Sequence, residues 1–248
     1  MLFSPLEQFQ ILPILPLTLF GSLDISFTNS SFISILITWL IFQISFTLTH
    51  SNTLINNNFI WFLLKLDLFI SQILFDQVGK VGLKFKPLLF TLSLVILFSN
   101  LIGLIPYSFT ITSHPIITLG LSFTLCLCIT FTILLKQKLH FFYLFIPSGV
   151  PAPLLVLIFP IEVLSYLTRP LSLGIRLAAN MFAGHTLLNI LSFFIWQMFH
   201  SFTFFPLALL SSFILLVFVV LEIIIAFLQT YVFTVLVASY LNDIYSHH

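Results

Sequence analysis

PLALLSSFILLVFVVLEIIIAFLQTYVFTVLVASY, residues Pro206 to Tyr240, is a run of 35 residues with one charge, Glu222, and no proline after its first position. As an α-helix rising about 1.5 Å per residue it would extend about 52 Å, against a bilayer hydrocarbon core of about 30 Å. Fitting it inside the core requires a tilt well beyond the usual average of about 20°. The segment before it, Ile161 to Trp196, is about as long but carries charges. Two long inclined helices in succession predict an antiparallel hairpin whose surface is fitted to a partner.

The rest of the chain agrees with a membrane setting. Of 248 residues, 60% are hydrophobic and 6% charged, with eight Lys and Arg against seven Asp and Glu, and the mean hydropathy is +1.20. Soluble domains carry about a quarter charged residues. Fifteen charges cannot build a water-facing surface for this length, which excludes soluble enzymes, nucleic-acid binders and disordered chains. Cys126 and Cys128 lie two apart in an apolar run and point to different sides of a helix, so neither a disulfide framework nor a metal site is expected. The first cationic side chain is Lys65, so the start of the chain has neither a basic signal-peptide region nor an Arg-rich transit character. An inner-membrane protein made inside an organelle would need neither.

The reading outward from the hairpin is an all-α integral membrane protein with about five transmembrane helices plus one amphipathic surface helix, forming a single membrane domain over residues 1–248. An N-terminal segment, 1–29, is broken by Pro5, Pro13 and Pro16. Spans are expected at 30–49, 88–105 and 115–135, followed by the long helices 161–196 and 206–240. Between the first two spans lies a polar patch, His50 to Asn58. In the segment 59–79, Lys65, Gln72, Asp76 and the following Lys80 share one stripe at 100° per residue, the mark of an amphipathic helix at the membrane surface. Pro106 to His114 reads as an uncharged turn and Ile146 to Pro160 as a Pro-rich segment outside the helices. Six lysines fall in the loops after the first and third spans. The positive-inside rule then places these loops and the C-terminus on the matrix or cytoplasmic side, and the N-terminus on the other.

The charges inside the two long helices are the functional candidates. A bare arginine at mid-membrane costs about 2.5–3.5 kcal/mol on insertion scales, so it normally faces protein or water. Glu162, Arg169 and Arg176 recur every seven residues and share one helical face with Asn180 and Ala183. Gly174, Ala178, Ala179 and Ala183 keep this stretch slim enough for another backbone to approach. His185 lies about 180° around the helix from Arg176 and about 13 Å along it, facing the last segment. There Glu222, Gln229, Tyr240 and Asp243 fall near a common face. Polar groups thus approach Arg176 from opposite membrane surfaces, His185 and Glu222 from outside, Glu162 and Asp243 from inside. Two offset polar paths separated by a fixed positive charge specify two aqueous half-channels, with a mobile carboxylate on a partner completing the crossing. The plain alternative is a structural ion pair of Arg176 with Glu162 or Glu222, and Arg169, beside Pro170, is equally open to a structural role.

Five stretches carry a family resemblance: SLGIRLAANMFAGH (Ser172 to His185), LEIIIAFLQTYVFTVLVASYL (Leu221 to Leu241), SPLEQF (Ser4 to Phe9), NLIGLIPYSF (Asn100 to Phe109) and IPSGVPAPL (Ile146 to Leu154). Together they resemble subunit a of the F-type ATP synthase, and Gly184–His185 is closest to the mitochondrial type. Pro170 directly after Arg169 departs from that pattern. The resemblance implies a proton-translocating stator subunit, non-catalytic on its own, without cofactor or metal and without nucleic acid. Its implied partners are a rotating c-ring of small hydrophobic subunits and the other membrane and peripheral-stalk subunits. The implied location is the mitochondrial inner membrane, with the N-terminus towards the intermembrane space and the C-terminus towards the matrix. By the same resemblance Arg176 is the essential arginine that blocks a proton short circuit. Glu162, His185, Glu222, Gln229, Asn180 and Asp243 form the proton path.

Three rival readings fit less well. A haem subunit would need axial histidines paired across helices, and the last span has none before the C-terminal tail. A stand-alone transporter would more often show internal repeats and broken helices. A purely structural subunit leaves Arg176, His185, Glu222 and Gln229 unexplained together.

Overall fold

The computed structural model describes residues 7–16, 18–19, 23–24, 26–50, 58–105, 108–137, 152–200 and 205–245. Six α-helices occur among them: α1 (Asn29–His50), α2 (Asn58–Val78), α3 (Lys86–Gly103), α4 (Pro115–Gln137), α5 (Ala152–His200) and α6 (Phe205–Tyr245). Five are long and apolar enough to cross a membrane, with spans at Asn29–Thr47, Gly82–Gly103, Pro115–Thr132, Leu157–His200 and Pro206–Asn242. The chain is therefore an all-α membrane protein. Its outer surfaces suit hydrocarbon: Ile116, Leu135 and Phe213 are 86%, 66% and 65% exposed, which would be costly in water and is neutral in lipid.

The described chain divides into two compact units. The first comprises residues 1–55, 93–114 and 178–231. It opens with a 3-10 turn at Glu7–Phe9 and two antiparallel ribbons, in which β1 (Pro13–Leu15) pairs with β4 (Phe27–Thr28) and β2 (Thr18–Leu19) with β3 (Leu23–Asp24). The Asn29 side chain joins the ribbon to α1, accepting from Leu12 N and donating to the Gln10 carbonyl. In this unit the C-terminal part of α5 packs antiparallel to the N-terminal part of α6.

The second unit comprises residues 56–92, 115–177 and 232–248. Here α2 buries Leu63, Ile70 and Leu74 on one face and exposes Lys65, Gln72 and Asp76 on the other, as the amphipathic reading expects. Gly79 ends α2 at φ +75°, a left-handed cap that glycine adopts without strain. A 3-10 turn over Gly79–Phe85 leads into α3, and Pro87 sits in its first turn, where a missing N–H costs nothing. Across that turn the Lys86 Nζ donates to Asp67 Oδ2 at 2.7 Å. Gly174 lets α5 close on α4: a Cβ there would lie 2.7 Å from Ser122 Oγ and 3.0 Å from Leu119 Cα.

The largest difference from the sequence reading is at the start of α5, while α5 and α6 also run on to His200 and Tyr245, past the expected ends at 196 and 240. α5 starts at Ala152, so residues 152–160 of the expected Pro-rich segment are helical, and Pro160 and Pro170 lie inside a 49-residue helix. Proline deletes one ladder hydrogen bond and strains the turn before it. In a membrane helix no water competes for the freed carbonyl and unfolding the turn would expose more backbone to hydrocarbon, so the helix continues. The polar patch at 51–57 and residues 146–151 lie outside the described residues.

Candidate functional site

Within the first unit, Asn180 Nδ2 on α5 donates to Gln229 Oε1 on α6 at 3.1 Å. One turn further along α5, Gly184 lies directly against the Glu222 carboxylate. Advancing from 180 to 184 on α5 while retreating from 229 to 222 on α6 is the antiparallel register. The approach at Gly184 is so close that any Cβ would collide with the Glu222 carboxyl group. Glu222 is 9% exposed and Gln229 4%, so both are turned into the helix pair.

Several buried polar atoms here accept or donate nothing among the described residues: both oxygens of Glu222, Nε2 of His185, both amide atoms of Asn100, and Oγ1 of Thr112. Asn100 is fully buried, and His185 is 6% exposed. Leaving such a group unpaired costs about 2–7 kcal/mol, and all of these groups lie in the first unit. A cavity of about 230 Å³ is lined by Asn180, Gly184, Phe218 and Glu222 among others, room for several water molecules. Gly103 of α3 faces the same histidine: a Cβ on it would stand 3.8 Å from His185 Nε2. The residue placed against Glu222 of the last helix is Gly184, next to His185, whereas the His185 ring nitrogen lies beside Gly103 of α3.

The remaining candidates separate. Arg176 is exposed, and within its own unit its guanidinium makes no ion pair among the described residues. Ala179, Asn180 and Ala183 are exposed as well, at spacings of three and four that repeat on one helical face. Gly174 is buried against α4 and Ala178 is buried, whereas Ala179 and Ala183 are exposed. Glu162 is half-buried. Arg169 lies over the Tyr240 ring at 5.8 Å, a cation–π contact that supports the structural reading of this residue. Asp243 belongs to α6, and its side chain lies outside the described residues.

Asn100, Thr112 and the contact role of Gly184 were missed by reasoning from the sequence. For Asn100 a signal existed, since a lone amide deep in an apolar helix is a functional candidate by the same rule that singles out charges. For Gly184 none existed, because the group it accommodates is 38 positions away.

Five helices apolar enough to cross a membrane, with buried polar side chains between the last two, define an integral membrane protein with a polar seam in a helix pair. The chain belongs to the ATP synthase A-chain family, whose match spans residues 30–242. It is 45% identical to ATP synthase subunit a of Acanthamoeba castellanii over 99% of each chain. It is 43% identical to ATP synthase subunit a of Marchantia polymorpha, again over 99% of each, and 40% identical to that of Hyphomonas neptunium over 97% of this chain and 95% of that one.

Proposed function

We propose that this chain, the membrane-embedded proton-channel component of an F-type ATP synthase, is the stator against which a ring of small hydrophobic subunits turns in the mitochondrial inner membrane. The observation that carries the reading is Glu222, a carboxylate buried in a membrane helix pair with neither oxygen hydrogen-bonded to a described group. A proton from the intermembrane side reaches His185 and Glu222 and is passed to a carboxylate on the ring. After nearly a full rotation the ring carboxylate meets Glu162 and Asp243 and releases the proton to the matrix. The exposed Arg176 stands between the two paths: always charged, it repels a proton but attracts the ring carboxylate once that group is ionised. Asn180 and Gln229, bonded to each other, hold the two long helices in register. The six lysines orient the basic loops and the C-terminus towards the matrix. ATP chemistry belongs to other subunits of the complex, and the further partners are its other membrane and peripheral-stalk subunits.

Crosslinking tests the stator assignment. In a background with Cys126 and Cys128 replaced by serine, Ala179→Cys is expected to crosslink to a ring subunit, whereas Ala178→Cys, 4% exposed at a neighbouring position, is not. Equal labelling of both, or capture of a non-ring subunit by Ala179→Cys alone, contradicts the ring-facing assignment. A second substitution probes the carboxylate pocket. Gly184→Ala pushes the Glu222 carboxyl off α5, and passive proton conductance through the assembled membrane sector should fall by about tenfold, the equivalent of roughly 1.4 kcal/mol.

A further inference from the structure

The contacts of the N-terminal 3-10 turn converge on one residue of the proposed path. Gln8 bridges two elements with one amide: its Nε2 donates to the Ser108 carbonyl at 3.4 Å, and its Oε1 accepts from Asn189 Nδ2. Phe9, buried at 9% exposure, packs its ring on Phe182 with centroids 4.9 Å apart. Phe182 and Asn189 lie three residues before and four after His185, so the turn grips α5 on both sides of that histidine and on its face. Ser108 completes the other half, its hydroxyl donating to the carbonyls of Ile102 at 2.6 Å and Gly103 at 3.1 Å. Gly103 is the residue that faces the His185 ring nitrogen. The turn therefore spans from the α5 residues flanking His185 to the α3 residue covering it.

We propose that Gln8 is a positioning residue for proton uptake, fixing the His185 imidazole by tying α5 to the C-terminal end of α3. The proposal rests on the reading of His185 and Glu222 as the outer path. A dipolar amide suits the task because it can donate and accept at once, joining two elements without adding a charge that would compete with the passing proton. The other titratable groups on the elements packed here are Glu222 of α6, buried, Glu7 of the turn itself, exposed, and His114 after α3, stacked on Phe109 at 5.1 Å.

The test uses the assembled complex in its native membrane, with passive proton conductance measured after removal of the catalytic head while the pH on each side is varied separately. Gln8→Ala should leave the amount of assembled complex unchanged and lower conductance about two- to tenfold. It should also shift the outer-side pH of half-maximal conductance and leave the inner-side dependence as it was. Asn189→Ala should reproduce Gln8→Ala with no further loss in the double variant. Unchanged conductance, or a uniform loss with no shift of the outer-side midpoint, overturns the proposal. If Gln8→Ala prevents assembly, Asn189→Ala removes the same bond from the α5 side and is judged by the same two criteria. A parallel Glu222→Gln sample separates the two levels: if it conducts normally, the outer-path reading itself is wrong. If it is blocked while Gln8→Ala is normal, only the positioning role falls.

Discussion

Replacing Arg176 with alanine is expected to abolish proton-driven ATP synthesis and to open a proton leak, with the complex still assembled. The side chain is exposed, so its removal takes away no packing inside the chain. Exposed substitutions away from caps and cores usually shift stability by less than about 0.5 kcal/mol. What is lost is electrostatic. A unit charge about 4 Å from a passing proton, at an effective dielectric near 20, contributes roughly 4 kcal/mol of repulsion, about a thousandfold in leak rate. The same charge would otherwise draw an ionised ring carboxylate to the site, so rotation loses its driving contact as the barrier disappears. Arg176→Lys keeps the charge but not the planar fork, and should keep the leak closed while synthesis drops. The measurement is paired: ATP synthesis under an imposed gradient, and decay of that gradient without ADP. Synthesis that survives Arg176→Ala would remove the arginine from the mechanism.

How far the sequence could be read follows from which interactions are local. The five spans were legible because a bilayer imposes a one-dimensional constraint, and runs such as Pro206–Tyr240 satisfy it in only one way. The amphipathic face of α2 was legible for a similar reason, since the period of Lys65, Gln72 and Asp76 is set within a few turns. The start of α5 was not, because the rule that proline ends a helix is calibrated in water. Pro160 and Pro170 sit where breaking the helix would expose backbone to hydrocarbon. The N-terminal ribbons were missed because two- and three-residue strands leave no periodic trace. At the site, residue types were legible and pairings were not. Asn180 with Gln229 spans 49 positions, and Gln8 with Asn189 spans 181. Chemistry singles out a glutamate in an apolar helix, whereas only the fold shows that a glycine was left bare for it.

That fitted pair makes Glu222→Gln the sharpest probe of the outer path. Glutamine matches glutamate in shape, so the space at Gly184 and the adjoining cavity stay filled, and no cavity term enters. Burying an amide instead of a carboxyl in this seam is no more costly, so assembly should be retained. The one property removed is the ability to take up and release a proton. Positioned proton-transfer groups contribute about 10²- to 10⁴-fold to the steps they serve. Water in the cavity can relay part of the flux, so the expected loss in proton uptake is at least about tenfold, towards the lower end of that range. Ile224→Leu, on a face that is 57% exposed to the surroundings, is the matched control and should leave flux unchanged. The outer-side pH dependence should change as well, because one of the two titrating groups of the proposed outer path, the carboxylate, is gone while His185 remains. A Glu222→Gln complex that conducts like the Ile224→Leu control would show that the buried carboxylate is a packing feature of the helix pair, and that protons reach the ring by another route.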